Sequence, residues 1–429
     1  MTARSERDLL DDCVHCGFCL PACPTYRSWG VESDSPRGRI DLMKGIEDGS
    51  LALDAAVVEH FDACLGCMAC VTACPSGVRY DQLIESTRAK VETQFVRSLG
   101  DRLVRALLFA LLPYPKRLRA IAVPLALYAS SGMRALVRRS GLRRLLPPTL
   151  AQLERLAPSV HVAELRESLP LFTPARGTRR GSVALVAGCV QRVFFPNVNA
   201  ATIRVLAAEG YDVIVPRGQG CCGALSLHVG RADEARDFAR RLVGRFGGLG
   251  HIDAILINAA GCGSTLKGYA EMLGDSHARE FADKVRDVNE FLAGIESVAP
   301  RRPLPLRVAY HDACHLAHAQ RIREQPRALL RTIPALEVVE IPDGEQCCGS
   351  AGVYNLLEPR SAAEIGARKA DNVQAVGADV LASANPGCTL QIGALLAERG
   401  RPLLAAHPIE ILDAALCYRP RNSIPLDPK

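Results

Sequence analysis

Gly220-Cys221-Cys222-Gly223 and Gln346-Cys347-Cys348-Gly349 carry the same Cys-Cys-Gly phrase, 126 residues apart, and that repetition decides the architecture. Working outward, each phrase has one cysteine ahead of it (Cys189, Cys314) and one behind it (Cys262, Cys388), again about 125 residues apart. Apolar runs precede every member: 183–186 and 306–309 before the first cysteine, 213–215 and 338–341 before the pair, 254–257 and 380–382 before the last. Helical patterns fill the intervals, as at 200–208 and 360–376. A repeat of this length must be settled before any fold assignment. Apolar strands alternating with helices predict two α/β domains with parallel sheets. In such sheets the C-terminal ends of the strands meet in one crevice, where binding sites collect. Cys189, Cys221, Cys222 and Cys262 should therefore converge, and Cys314, Cys347, Cys348 and Cys388 are the matching set. Both sets are candidate further metal or iron–sulfur centres. Buried structural thiols, or an empty remnant, are the alternatives.

Upstream stand two more sets. Cys13, Cys16, Cys19 and Cys23 precede Pro24; Cys64, Cys67, Cys70 and Cys74 precede Pro75. Both read C-x2-C-x2-C-x3-C-P, the spacing of bacterial two-cluster ferredoxins. Three cysteines at three-residue steps wrap a loop around one [4Fe–4S] cubane, and the small residues Gly17, Gly66 and Ala69 let backbone N–H groups approach the sulfurs. The fourth cysteine reaches the other cluster. The expected sets are Cys13, Cys16, Cys19 and Cys74 for cluster 1, and Cys64, Cys67, Cys70 and Cys23 for cluster 2. Structural zinc usually takes two separated pairs, not four cysteines in eleven residues. Between the motifs, Ile40, Leu42, Met43, Ile46, Val57, Val58 and Phe61 fall at helix-like spacing, so a mainly helical module is expected. A cubane with one cysteine on each of its four irons leaves no position for substrate. No general base or nucleophile for alcohol oxidation stands out, and no catalytic residue is assigned.

The chain has 429 residues, which predicts roughly two to four domains. Its 48% hydrophobic and 23% charged content excludes a wholly disordered chain. A net charge of +6, 5% aromatics and a single tryptophan, Trp29, give no nucleic-acid surface, and no helix-turn-helix or zinc finger is visible. The first ten residues lack an apolar export core. The 17 cysteines are therefore expected in a reducing cytoplasm, serving metals or redox chemistry. The longest apolar candidate, 120–131, contains Pro124 and is too short to span a bilayer. Segment 101–150 carries ten Lys or Arg against one acid, Asp101, with an apolar stripe of Leu103, Val104, Leu107, Leu108, Leu111 and Leu112. Such a segment can rest peripherally on the inner face of the cell membrane, dock an acidic partner, or pack with its basic face solvated. Pro147-Pro148 and a loop at 172–182 mark a linker before the first repeat, and 299–305 links the repeats. Residues 218–223 match G-x-G-x-x-G. No acid closes a second strand about 20 residues on, and the second copy reads Asp343-Gly344-Glu345-Gln346 instead, so a dinucleotide site is rejected. His311, His315 and His318 flank Cys314 as ligands, proton relays or turn packing. Cys417, in a C-terminal apolar helix pattern, is expected in the core.

The two ferredoxin motifs, the Tyr310-His311-Asp312-Ala313-Cys314-His315 stretch, the Cys-Cys-Gly turns and Asn385-Pro386-Gly387-Cys388-Thr389-Leu390-Gln391-Ile392 carry a resemblance over almost the whole chain. The chain resembles the glycolate oxidase iron–sulfur subunit family, and its repeat looks like the paired "CCG" domains of heterodisulfide reductases. The same order is shared with glycerol-3-phosphate dehydrogenase C subunits and lactate-utilisation proteins. The resemblance implies an α+β multidomain protein: a helical two-cluster ferredoxin-like module (1–100), a basic amphipathic helical region and linker (101–180), and two α/β, parallel-sheet CCG domains (181–300 and 301–429). It implies an electron-transfer subunit of a 2-hydroxy-acid dehydrogenase, receiving electrons from a separate FAD-containing dehydrogenase subunit and passing them toward a quinone or other acceptor. Lactate or glycerol-3-phosphate oxidation, a disulfide-reducing CCG enzyme, and a redox sensor or scaffold are the alternatives. One departure matters. Heterodisulfide reductases carry a fifth cysteine in the last motif of each copy, where this chain has Thr265 and Gln391.

Overall fold

The computed structural model describes residues 4–140, 145–146, 148–158 and 168–417. The first repeat builds strands β1 (Phe172–Thr173), β2 (Gly181–Val186), β3 (Tyr211–Ile214), β4 (Ala254–Ile257) and β5 (Val285–Asp287), in the order β1-β3-β2-β4-β5. The second builds β6 (Arg307–His311), β7 (Glu337–Glu340), β8 (Val380–Ser383) and β9 (Leu404–Ala406), in the order β7-β6-β8-β9. Every pairing is parallel except β1 with β3. Parallel neighbours need helical crossovers, which cover both faces of the sheet. That is why β2, β4 and β8 are buried at every residue and read as unbroken apolar runs. The crossovers include Pro196–Ala208 and Ala232–Phe246 in the first copy and Glu324–Arg331 and Pro359–Ala375 in the second. Two of these open on proline, whose fixed φ and missing N–H suit the first helical turn.

The two copies share a core. Helix Pro408–Ala415 of the second packs on Pro196–Ala208 of the first. There Arg204 grips the buried Asp413 carboxylate through two bonds of 2.9 and 2.7 Å. The turns after β4 and β8 also meet: the Ala260 N–H donates to the Ala384 carbonyl at 3.1 Å.

Residues 6–94 form the helical module: Glu6–Asp11, Pro24–Trp29, Pro36–Glu47, Ala55–Ala63, Ala69–Ala73 and Tyr80–Gln94. Its core holds Leu10, Phe61, Leu83 and Ile84, all without exposed surface. Ser35 and Asp54 cap two of the helices, each cap contributing roughly 1 kcal/mol. Four more helices follow, Leu99–Leu111, Pro115–Ser130, Met133–Arg139 and Pro148–Leu156. The apolar stripe read from the sequence lies on the first of them, Leu99–Leu111, and its C-cap Leu112. Leu108, Phe109, Leu118 and Ala122 are buried, whereas Leu103 and Leu107 stay exposed. No helix among the described residues is long and apolar enough to cross a membrane.

Two local expectations are corrected. The stretch at 172–182 is not all loop: Phe172 and Thr173 pair with Ile214 and Val213, completing a sheet edge. Cys417 is exposed, not core. Its helix ends at Ala415, Leu416 takes the last buried position, and the chain turns outward with the Cys417 N–H on the Pro300 carbonyl at 3.2 Å. Pro147 lies outside the described residues.

Candidate functional site

The eight N-terminal cysteines border two clefts. Cys13, Cys16, Cys19 and Cys74 line one; Cys23, Cys64 and Cys67 line the other; Cys70 lies on both. The loops that present them are wound by left-handed residues, Gly17 (φ 86) and Gly66 (φ 59), but also His15 (φ 56) and Met68 (φ 63). This winding turns N–H groups toward sulfur, and the Gly66 N–H reaches Cys64 Sγ at 3.4 Å. The donor set suits an iron–sulfur cluster and calls for positive charge. Burial and the neighbouring thiols push Cys67 and Cys70 well above the ordinary thiol value, and burial lifts Cys19 to about 11. Cluster iron would supply the missing cation.

Around Cys64 the chain supplies cations of its own. Burial alone would raise this thiol; the guanidinium groups of Arg39 and Arg88 overcome it and hold Cys64 below its usual value. Arg39 is 1% exposed, pinned by the His60 and Asp34 carbonyls at 2.6 Å each. Arg88 spans from the Cys64 carbonyl to the His228 carbonyl, the latter at 2.8 Å. Neither arginine was singled out from the sequence, where nothing distinguishes a buried arginine from a surface one.

The repeat cysteines all follow strand ends. In the first copy Cys189 and Cys221 approach to 3.7 Å between sulfurs, and hydrogen bonding from Cys221 and Cys262 draws charge onto Cys222. Gln219 anchors this loop: it accepts from the Ala187 N–H and donates to the Leu185 carbonyl, both at 2.9 Å. The glycines of 218–223 thus present thiols rather than a phosphate cradle. In the second copy the strand end is braced instead by Arg327, which clasps Asp312 at 2.9 and 2.7 Å. Lys369 lies beside Cys347 and Cys348, its Nζ held by the Asp343 and Gly344 carbonyls. His311 offers a nitrogen that lies, with the Cys348 and Cys388 sulfurs, in one group within 4.8 Å, a grouping able to hold a metal ion. At the corresponding place the first copy has Val186. Burial brings His311 and His315 down to about 3, so both imidazoles are neutral. His315 begins a turn of π-helix, His315–Ala319, a distortion common at functional sites. His318 packs toward the N-terminal module, its Nδ1 3.1 Å from Thr72 Oγ1.

The sets are arranged in sequence through space. Cys67 of the N-terminal module lies in one buried cluster with Cys314 and Cys347 of the second repeat. Beyond them a cavity of about 490 Å³ is lined by cysteines of both repeats, including Cys189, Cys222, Cys262, Cys348 and Cys388. The rings of His228 and His315, one from each repeat, touch in its lining, with centroids 4.9 Å apart. Helices Leu99–Leu111, Pro115–Ser130 and Pro148–Leu156 close its other side with leucines.

Comparison with known proteins covers each of these parts. Residues 9–78 match the 4Fe-4S dicluster domain, 100–157 the linker region of the glycolate oxidase iron-sulfur subunit, and 183–267 and 308–393 the cysteine-rich domain. The chain is 37% identical over 398 residues to the "Probable glycolate oxidase iron-sulfur subunit" of Bacillus subtilis, covering 91% of this chain and 89% of that one. It is 34% identical over 418 residues to the "Glycolate oxidase iron-sulfur subunit" of Escherichia coli, covering 95% and 94%. The chain belongs to the glycolate oxidase iron-sulfur subunit family. Its architecture also resembles a crystal structure of a hypothetical protein from Helicobacter pylori, with a TM-score of 0.55 at 8% identity over 98% of this chain and 78% of that one. Within the family's terms, the linker region is the leucine wall of the cavity, and the two cysteine-rich domains are its floor.

Proposed function

We propose that this iron–sulfur subunit relays electrons in a glycolate-oxidase-like 2-hydroxy-acid dehydrogenase, taking them from a partner flavoprotein and passing them toward a quinone or another acceptor. Cys13, Cys16, Cys19 and Cys74 would hold one [4Fe–4S] cluster and Cys64, Cys67, Cys70 and Cys23 the other. The pairing is supported by the two clefts these residues line. When bound, such clusters supply one-electron transfer at a potential set by charge, hydrogen bonding and exposure. The observation that carries the reading is the buried contact of Cys67 with Cys314 and Cys347, which brings the dicluster module against the second repeat without intervening solvent. The opposite end is open. Cys16 is exposed and flanked by Val14 and Phe18, 68% and 65% exposed, a small apolar edge suited to a redox partner.

The repeats are weaker candidates for a disulfide reductase. The fifth ligand positions are already committed: Thr265 Oγ1 donates to the Gly261 carbonyl, and Gln391 bonds Asn355 and the Ala362 carbonyl. The test is reconstitution. The flavoprotein should reduce quinone analogues with glycolate only when this chain is present. Unchanged transfer in its absence would refute the role.

A further inference from the structure

Resting on that electron-transfer reading, we propose that the cavity between the two repeats is the acceptor site, and that the acceptor it takes is a lipophilic quinone. Its volume of about 490 Å³, which includes the space in front of the cysteines where their centres would sit, falls in the range that buries organic ligands, about 300–1,000 Å³. The cysteines form only its floor. The opposite wall is mostly leucine and isoleucine from the linker helices, including Leu111, Leu112, Leu125 and Leu156, with Tyr128 and Glu154 as its polar members. Among the described residues lining it there is no lysine or arginine. A carboxylate, phosphate or charged disulfide would lose its hydration there without gaining a counter-ion, whereas a neutral ring with an alkyl tail loses little.

The few polar groups are placed for carbonyl oxygens. His315 is buried, its Nδ1 lies 3.5 Å from Cys314 Sγ, and its Nε2 has no hydrogen-bond partner among the described residues. Ser350 is 1% exposed and its Oγ is likewise without one. Both line the cavity. The Ser350 hydroxyl can donate to a carbonyl oxygen, and His315 does so from Nε2 in the tautomer whose Nδ1 accepts from the Cys314 thiol; a buried donor left unpaired costs roughly 1–3 kcal/mol, a cost that a ligand accepting from it removes. The wall also reaches the surface: Leu107 and Leu153 line the cavity while remaining 58% and 37% exposed, and offer an apolar approach for an isoprenoid tail. The chemistry closes without another oxidant. Oxidation of a 2-hydroxy acid to a 2-oxo acid on the flavoprotein releases two electrons and two protons, and reduction of a quinone to its quinol takes up two of each.

The test is photolabelling of the full chain, clusters in place, with an azido-benzoquinone bearing a decyl tail, followed by peptide mapping. Label should fall on the linker helices or on the loops after β6 and β8. An excess of decyl-benzoquinone should suppress it, and oxidised glutathione should not. Leu107→Trp and Leu153→Trp narrow the approach and should cut labelling at least tenfold, with iron content and visible absorption retained as evidence of folding. Ser350→Ala should weaken it several-fold. Label outside the cavity, label indifferent to the mouth variants, or suppression by the charged disulfide would overturn the proposal. Electron flow from the flavoprotein through the wild-type chain to ferricyanide separates the two levels. If that flow persists while the cavity stays unlabelled, only the acceptor site is wrong; if the flavoprotein fails to reduce the chain, the electron-transfer reading falls with it.

Discussion

Arg39 and Glu410 are buried charges with opposite consequences. Arg39 has no exposed surface to speak of, and its guanidinium faces Cys64 and Cys23. A fixed cation stabilises the reduced, more negative state of whatever those thiolates hold, and so raises its reduction potential. Arg39→Gln should lower the midpoint potential of that cluster by on the order of 60 mV, the one-electron equivalent of about 1.4 kcal/mol. Redox-poised EPR would read it, and an unchanged or higher potential would sink the argument. Glu410 has the reverse problem. Burial lifts its carboxyl to about 7, with Asp413 adding to the rise and the His407 N–H and Arg204 opposing it. A carboxyl whose folded value is raised favours the fold most at low pH, below its ordinary value, and loses that contribution as pH climbs to about 7. Glu410→Gln keeps an acceptor for the His407 N–H and removes the titration. The variant should match the parent near pH 4.5 and exceed it by about 3 kcal/mol at pH 8, at about 1.4 kcal/mol for each unit of the rise. Denaturation midpoints at pH 5.5 and 8 check this; parallel curves for both proteins would contradict it.

At the scale of elements, helix Tyr80–Gln94 is the joint between the N-terminal module and the first repeat, and Gly230 is where it closes. Gly230 has φ +89, and a Cβ there would overlap the Arg88 carbonyl. Gly230→Ala therefore combines left-handed strain of roughly 1–2 kcal/mol with a backbone collision. It should loosen the module's seat, seen as faster proteolysis between residues 79 and 98; unchanged protection would mean the joint lies elsewhere. Which elements were legible in the sequence follows from the same physics. β2, β4, β6 and β8 were readable because a strand covered on both faces carries a continuous apolar run at its centre. β5, Val285-Arg286-Asp287, and β9, Leu404-Ala405-Ala406, are three residues each and too short to show a period, and β1 survives only by pairing with β3. The cysteine spacings announced the sets. Gln219, Arg39 and Arg88 act largely through partners distant in the chain, such as Leu185, His60 and His228, and no local pattern marks them. The leucine stripe at 103–112 was visible, but not that its inward members would wall a cavity floored by cysteines about 80 to 280 residues later.

On the scale of the whole molecule, the fold places four cysteine sets in a directed series. Beside the exposed end at Cys16, Arg37 is paired with Glu32 near the surface. The next set faces buried Arg39 and Arg88, and the one after that buried Lys369. Buried positive charge thus lies inward of the surface set, and on the proposed relay it would favour electrons entering at the apolar edge of Val14 and Phe18 and moving toward the cavity. Because Cys67, Cys314 and Cys347 share one buried cluster, centres held on either side of that contact must be magnetic neighbours. The chain reduced with dithionite should carry clearly more than about eight irons, the content of two [4Fe–4S] clusters. Its EPR spectrum should be broadened by spin–spin interaction. Cys347→Ala should release the second repeat's metal, bring the iron down toward eight, and sharpen the remaining signals. Sharp, isolated signals from the parent protein at full iron content would show that the series stops at the N-terminal module, and the repeats would then have to be read as scaffold.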